Sequence, residues 1–124
     1  MGLLGRDAIL AANDLPSLDV DVPEWGGTVR VRMLTGAERD AFEASTVVQK
    51  GKDIRTNLVN LRARLVALCV VGDDGQRLFT EADAEALGQK SAAALNRVFT
   101  AAQTLNGLTE EAAREAREQF RSAA

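Results

Sequence analysis

The sequence has no histidine and no tyrosine, and its 124 residues include only one tryptophan, four phenylalanines and one cysteine. Without histidine it lacks the commonest general base and the commonest metal ligand, which excludes Ser–His–Asp and Cys–His catalytic systems. The single cysteine, Cys69, excludes an internal disulfide and a cysteine zinc site. The acidic residues fall on strands, helix caps and polar faces, where none needs a pKa tuned for acid–base catalysis. We therefore expect no enzyme activity, no metal and no cofactor.

Long apolar runs and a strong charge of one sign are also missing. No apolar stretch approaches the ~20 residues that span a bilayer, and the N-terminal residues lack the basic leader of a signal peptide. The net charge is -3, with acidic and basic residues interspersed rather than gathered on a basic face. The glycine clusters match no phosphate-binding pattern. We expect a cytoplasmic protein that binds neither membranes nor nucleic acid.

Two short stretches near the N-terminus alternate with period two. Leu18–Val22 alternates apolar and acidic residues, and Thr28–Met33 alternates apolar and basic ones, which is typical of half-buried strands. The turn between them contains Gly26 and Gly27, which tolerate the positive φ of tight turns. The pattern predicts a β-hairpin over residues 17–34. Its outward acids are expected to face its outward bases, namely Asp19 and Asp21 opposite Arg30 and Arg32.

The chain up to residue 108 otherwise has helical periodicity. A short helix at residues 5–13 is followed by predicted helices at 36–48, 57–71, 81–87 and 91–106. Thr35 and Glu38 form a capping box that opens the helix at 36–48. Residues 57–71 are apolar around most of the helix circumference, which predicts a central helix with neighbours on several sides. The predicted fold class is α+β, mostly α-helical: an N-terminal β-hairpin packed on a bundle of about four to five helices, in one globular domain over residues 1–108.

Two polar stretches lie outside this bundle. Residues 49–56 are predicted to be an exposed loop. Residues 109–124 are predicted to be a charged, loosely attached C-terminal helix, whose only large apolar residue is Phe120. That weak apolar face indicates either a helix that waits for a partner or a frayed terminus.

Small residues recur at helical spacing along the predicted helix at 36–48. These are Ala37, Ala41, Ala44 and Val48, and small side chains permit the close approach of a neighbouring helix, while Phe42 points to a different side. This face is a candidate docking surface for a partner helix.

Three further residues leave alternatives open. Trp25 in the hairpin turn is either an exposed anchor for a partner or, as we favour, a lid folded over the hairpin. Arg62 falls within the apolar arc of the central helix, so it is either buried and paired with an oxygen or reaches water at the edge of an interface. Cys69 is expected to be a small core residue rather than a reactive thiol. The candidate partner-binding residues are therefore Trp25, Ala37, Ala41, Phe42, Ala44, Val48, Arg62 and Phe120.

The order of these parts resembles the tail assembly chaperone family of long, non-contractile-tailed bacteriophages. The resemblance runs from about Ala8 to Leu108. It includes the string VPEWGGTVRVRMLTGAERDAFEAS, with its Trp-Gly-Gly turn and capped helix, and the string NLRARLVALCVVGDDGQRLFTEADAEALGQKSAAALNRVFTAAQTLNGL. It is a match of the whole pattern rather than of one motif.

The resemblance implies a non-catalytic protein of the infected host's cytoplasm. Members bind the long, helical tape measure protein, keep it soluble, and help tail tube subunits polymerise around it; they are absent from the mature virion. Many are made in two lengths by a ribosomal frameshift, and this chain would be the short form. The implied partners are the tape measure protein, the tail tube protein, the longer frameshifted form and further copies of this chain.

Two other functions remain open beside the chaperone. One is a structural virion component, such as a head–tail joining or minor tail protein. The other is a DNA-binding regulator, which would need a basic recognition helix. The nearest candidate, with Arg62 and Arg64, is the most apolar helix of the chain, so we disfavour the regulator.

Overall fold

The computed structural model describes residues 2–107, and only the backbone of residues 48–50, 54 and 55. Its elements, in chain order, are α1 (Arg6–Ala11), β1 (Ser17–Val22), β2 (Gly27–Arg32), α2 (Gly36–Ser45), β3 (Val47–Lys50), β4 (Asp53–Thr56), α3 (Leu61–Cys69), β5 (Val70–Val71), α4 (Ala84–Leu87) and α5 (Ala92–Leu105). Short 3-10 turns at Pro23–Trp25 and Glu81–Asp83 precede β2 and α4. The predicted C-terminal helix, with Phe120, lies outside the described residues. The α+β class is confirmed.

The predicted hairpin forms, and β5 extends it to a three-stranded antiparallel sheet in the order β1-β2-β5. Asp19 lies opposite Arg30 and its Oδ1 accepts from the Arg30 Nε at 2.9 Å. Asp21 does not pair with an arginine, because the register puts it opposite Thr28 and puts Arg32 opposite Ser17. Arg32 instead binds Glu38 at the start of α2, with 2.8 Å between Nη2 and Oε1.

The core lies between the sheet and the helices. Helix α3 packs against α5, α4 and α2, and α5 covers the inner face of the hairpin. Six of the nine residues of α3 are buried: Ala63, Leu65, Val66, Ala67, Leu68 and Cys69. The central position predicted for this helix is therefore confirmed. None of the helices within residues 2–107 is long and apolar enough to cross a membrane.

The central helix is shorter than the predicted 57–71. It begins at Leu61, because Asn60 has a left-handed backbone (φ 54°) that cannot continue a helix. Leu58 and Val59, predicted to extend the apolar stripe, are 61% and 74% exposed. At the other end, Val70 leaves the helix because it pairs with Val31 of β2. A β-branched pair at the sheet edge gains more from strand pairing than from another helical turn.

The region after α2 also differs from the prediction. Helix α2 ends at Ser45 rather than at residue 48, and the predicted loop at 49–56 is part of a hairpin formed by β3 and β4. The Ser45 hydroxyl donates to the Phe42 carbonyl at 2.6 Å, which satisfies a carbonyl at the helix end. Val48, predicted to end the small-residue face, therefore lies in β3. The β-branched run from Thr46 favours a strand over a helix.

Candidate functional site

A groove of about 600 Å³ opens between α2, the segment before α3, and the 3-10 turn before α4. We call it the α2–α3 groove. Its apolar lining consists of Ala41, Phe42, Ala44, Val59, Ala67, Leu68 and Ala84. Its polar lining consists of Ser45, Asn57, Asn60, Arg64, Arg77 and Glu81. The groove is therefore mostly apolar, with its charges confined to two arginines and one glutamate.

The α2 wall of the groove follows from local sequence. Thr35 caps α2 by accepting from the Glu38 backbone N–H at 3.1 Å, and the Glu38 carboxylate accepts in turn from the Thr35 N–H at 2.9 Å. This box holds the start of the helix, and Phe42, 9% exposed, anchors it to the core. Ala41 and Ala44 are exposed and contribute only methyl groups to the groove lining. The space that these methyl groups leave unfilled is part of the groove.

Arg64 joins the two sides of one end of the groove. Its Nη1 donates to the Ser45 carbonyl at 2.9 Å and to the Ser45 hydroxyl at 2.8 Å, and its Nη2 donates to the Asn57 carbonyl at 2.7 Å. Through these bonds α3 is tied to the end of α2 and to residue 57, where the β4 strand has just ended. Sequence reasoning considered Arg64 only as part of a possible basic recognition helix and missed this role.

Arg77 lines the same groove from the segment after β5. Its backbone forms an isolated antiparallel bridge with Val71, which fixes its position beside the sheet. The Nε and Nη2 atoms of its guanidinium are shielded from solvent, and neither has a hydrogen-bond partner among residues 2–107. Nothing in the sequence pattern distinguishes Arg77 from a surface arginine, because its surroundings come from distant segments.

The structure brings three of the predicted partner-binding residues together, since Ala41, Phe42 and Ala44 all line the groove. Ala37 is exposed on the same helix but is not part of the groove lining. Val48 has left the helix for β3. Phe120 is outside the described residues.

Trp25 and Arg62 lie elsewhere. Trp25 is half-buried and packs against the core, as the lid interpretation requires. Arg62 is exposed, and its guanidinium carbon lies 5.4 Å from the centre of the Phe99 ring on α5. That geometry is a cation–π contact, so the side chain reaches water while covering an aromatic face. Neither residue adjoins the α2–α3 groove.

Cys69 is a core residue, as predicted. Its side chain is fully buried, and this burial raises the pKa of the thiol from 9.0 to about 12. The Asn106 Nδ2 lies 3.7 Å from the sulfur, and this contact acts in the opposite direction on the pKa but does not offset burial. At neutral pH the group is a protonated thiol, which is a poor nucleophile and a poor metal ligand. Within residues 2–107 no group of three or more His, Cys, Asp or Glu side chains could hold a metal ion.

The geometry thus offers a surface for a protein partner, with an apolar floor and few charges. A family model described as phage tail assembly chaperone matches residues 6–119 of the chain. Searches of curated proteins and of solved structures returned no match. The family match covers nearly the whole chain, including the hairpin, both walls of the groove and α5. The family is not known to be enzymatic. The chain belongs to the phage tail assembly chaperone family.

Proposed function

We propose that the chain binds helical segments of the tape measure protein in the α2–α3 groove. By covering the apolar faces of those segments it keeps the tape measure protein soluble in the cytoplasm of the infected host. It thereby promotes polymerisation of the tail tube around that protein and then leaves, so that the mature virion lacks it. The tail tube protein, a longer frameshifted form and other copies of this chain are further partners in this proposal.

The observation that carries the proposal is the apolar groove bordered by two helices. An amphipathic helix docks by laying its apolar face into such a groove. Ala41 and Ala44 are one helical turn apart and expose only methyl groups, so a third helix can approach α2 closely. Leu68 and Ala67 on α3 supply the opposite apolar wall. A groove without deep specific pockets suits a chaperone that must accept many segments of one long client.

The central experiment co-expresses the tape measure protein with this chain or with an empty vector, and measures the soluble fraction of the tape measure protein. Ala41→Trp fills the groove from an exposed position and is expected to lower that fraction towards the empty-vector level. Ala93→Trp, at an exposed position on α5 outside the groove, is the matched control and is expected to behave as the unsubstituted chain. Equal solubility with and without the chain would refute the proposal.

A second experiment, on purified phage particles, distinguishes a chaperone from a structural protein of the virion. We expect mass spectrometry of purified particles to detect the tail tube and tape measure proteins but not this chain. Recovery of the chain in stoichiometric amounts with the particles would instead favour the head–tail joining or minor tail protein named above.

A further inference from the structure

We infer that the outer edge of β1 binds an extended segment of a partner protein in which apolar and basic residues alternate. The segment adds a fourth strand to the sheet, beside β1 and on the side away from β2. The α2–α3 groove is proposed to bind helices, whereas this edge binds extended backbone. The inference therefore goes beyond the proposed function and does not depend on it.

The first support is a row of backbone groups along the outer edge of β1. In an antiparallel pair, residues that bond to the neighbouring strand alternate with residues whose N–H and C=O groups point away from it. The Met33 N–H donates to the Pro16 carbonyl at 2.9 Å, one step beyond the register of β1 and β2, so the even-numbered residues of β1 bond to β2. Ser17, Asp19 and Asp21 therefore direct their backbone groups outwards, and no hydrogen bond within the described part of the chain uses them.

The second support is that this edge is open. Edge strands are commonly protected by a proline, a lysine, a bulge or a covering element. β1 contains no proline or lysine, its register with β2 runs without a bulge, and Asp19 and Asp21 are exposed. Leu18, on the inner face of the sheet, is 46% exposed, so α5 leaves part of this apolar face uncovered. The opposite edge differs, because the Leu78 N–H donates to the Val70 carbonyl of β5 at 3.1 Å.

The third support is the charge along the edge, which determines the side chains of the occupant. Asp19 is held in an ion pair across the hairpin, but Asp21 accepts a hydrogen bond from the Thr28 hydroxyl at 3.0 Å and forms no ion pair among the described residues. A strand added beside β1 places side chains directly opposite these acids, where basic residues stabilise the pairing and acidic ones destabilise it. The alternate side chains of that strand lie beside Leu18 and Val20, where apolar residues extend the inner face.

A second copy of the chain is disfavoured as the occupant. Two antiparallel β1 edges would bring acidic residues opposite acidic residues, which destabilises the pairing. Strand β2 has the required pattern, with valine and arginine alternating from Val29 to Arg32. It is not available, because it already pairs with β1 on one side and with β5 on the other. The occupant is therefore a strand with the pattern of β2 that another protein supplies.

The test uses the full chain, labelled for NMR, and a synthetic peptide with the sequence of residues 27–33. A peptide with glutamate in place of both arginines is the control for charge. Two further peptides carry N-methyl groups, one on the arginine amides and one on the valine amides. NMR titration measures the affinity of each peptide, and hydrogen exchange of the backbone amides of the chain locates the bound strand.

The expected result is a change in exchange at alternate residues of β1. The outward amides of Asp19 and Asp21 should exchange rapidly in the free chain and slowly with the arginine peptide. The Leu18 and Val20 amides, which bond to β2, should stay protected throughout and serve as internal controls. Methylation of the arginine amides should abolish binding, because these amides face the outward groups of β1, whereas methylation of the valine amides should not. The glutamate peptide should bind at least about 5-fold more weakly than the arginine peptide.

Variants of the chain test the acidic residue that lacks an ion pair. Asp21→Lys should weaken binding of the arginine peptide roughly 3- to 30-fold and strengthen binding of the glutamate peptide. Asp21→Asn, which keeps the size of the side chain, should lose less affinity. Asp40→Lys makes the same change of charge at an exposed position on α2, so it is the matched control and should bind both peptides as the unsubstituted chain does. Protected Leu18 and Val20 amides in each variant show that the hairpin is intact.

Several outcomes would overturn the inference. These are an arginine peptide that does not bind, equal affinity for the arginine and glutamate peptides, and exchange at Asp19 and Asp21 that stays rapid when the peptide is saturating. Protection of these amides without peptide, on concentrating the chain, would show a second copy on the edge and would also overturn it. Ala41→Trp fills the groove without changing β1, so failure of either proposal leaves the other standing.

Discussion

Asn106 is the one buried polar residue that joins three distant parts of the described core. Its Oδ1 accepts from the Leu34 backbone N–H at 2.7 Å, and its Nδ2 donates to the Ala102 carbonyl at 2.8 Å and approaches the Cys69 sulfur at 3.7 Å. Its own carbonyl accepts from Arg39 Nη1 at 3.1 Å. One amide therefore fastens the end of α5 to the entry of α2 and to the end of α3.

Replacing Asn106 with leucine tests this role. The Ala102 carbonyl keeps its bond from the Asn106 backbone N–H, so the loss falls on the Leu34 N–H, which becomes a buried donor without an acceptor. Such a donor costs about 1–3 kcal/mol. At about 4 °C per kcal/mol for a chain of this size, Asn106→Leu should lower the melting temperature by about 4–12 °C.

Thermal unfolding gives the melting temperature and urea unfolding gives the free energy, and both are followed by the fluorescence of Trp25, the only tryptophan in the chain. It reports the hairpin turn packed on the core. The matched control is Asn96→Leu, on the exposed side of the same helix, whose free energy of unfolding should stay within about 0.5 kcal/mol of the unsubstituted chain. If Asn106→Leu were also within that margin, the amide would not be what holds these three segments together.

The remaining predictions concern titration, backbone conformation and packing. The pKa of Cys69 is raised to about 12 in the folded state, so its contribution to stability is full below pH 9 and falls as the pH rises towards 12, by about 1.4 kcal/mol per unit. Urea unfolding at several pH values should show this decline, and Cys69→Ala should not. Gly26 has a φ of 74°, so Gly26→Ala should destabilise the hairpin by about 1–2 kcal/mol, whereas Gly27→Ala, with open space and no positive φ, should cost less than about 0.5 kcal/mol; equal losses in chemical denaturation would contradict the turn geometry. Leu65 is fully buried in α3, so Leu65→Ala should cost about 2–5 kcal/mol, whereas Leu58→Ala at a 61% exposed position should be nearly neutral. The reverse order of urea midpoints would contradict the burial of these two leucines.

Local patterns predicted several elements correctly because their determinants lie within a few residues. The period-two alternation around Asp19 and Arg30 predicts the hairpin, and in the structure these two residues lie opposite each other and form an ion pair. The capping box of Thr35 and Glu38 predicts the start of α2, and the helix predicted to begin at residue 91 has Ser91 as its N-cap, which accepts from the Ala94 N–H at 3.1 Å. In the caps, a side chain accepts a hydrogen bond from a backbone N–H three residues further along the chain. In the hairpin, the paired side chains are joined by a single turn.

The limits of the central helix illustrate what such patterns cannot predict. An apolar run from Leu58 to Val71 satisfies helical periodicity throughout, and only long-range contacts choose where the helix stops. Val70 and Val71 leave α3 because β2 offers them strand pairing across about forty residues of chain. Leu58 and Val59 are as apolar as the core residues but lie before the start of α3 and remain exposed.

By itself the sequence determined the class of the fold, the hairpin, the capped start of α2 and the absence of histidine chemistry. Tertiary structure alone decided that Ala41 and Ala44 line an open groove, that two guanidinium nitrogens of Arg77 are shielded without a partner among the described residues, and that Asn106 is buried. The physical reason is that secondary structure depends on neighbours within a few residues. A groove is the space between elements, and the burial of a polar group depends on side chains that arrive from distant segments.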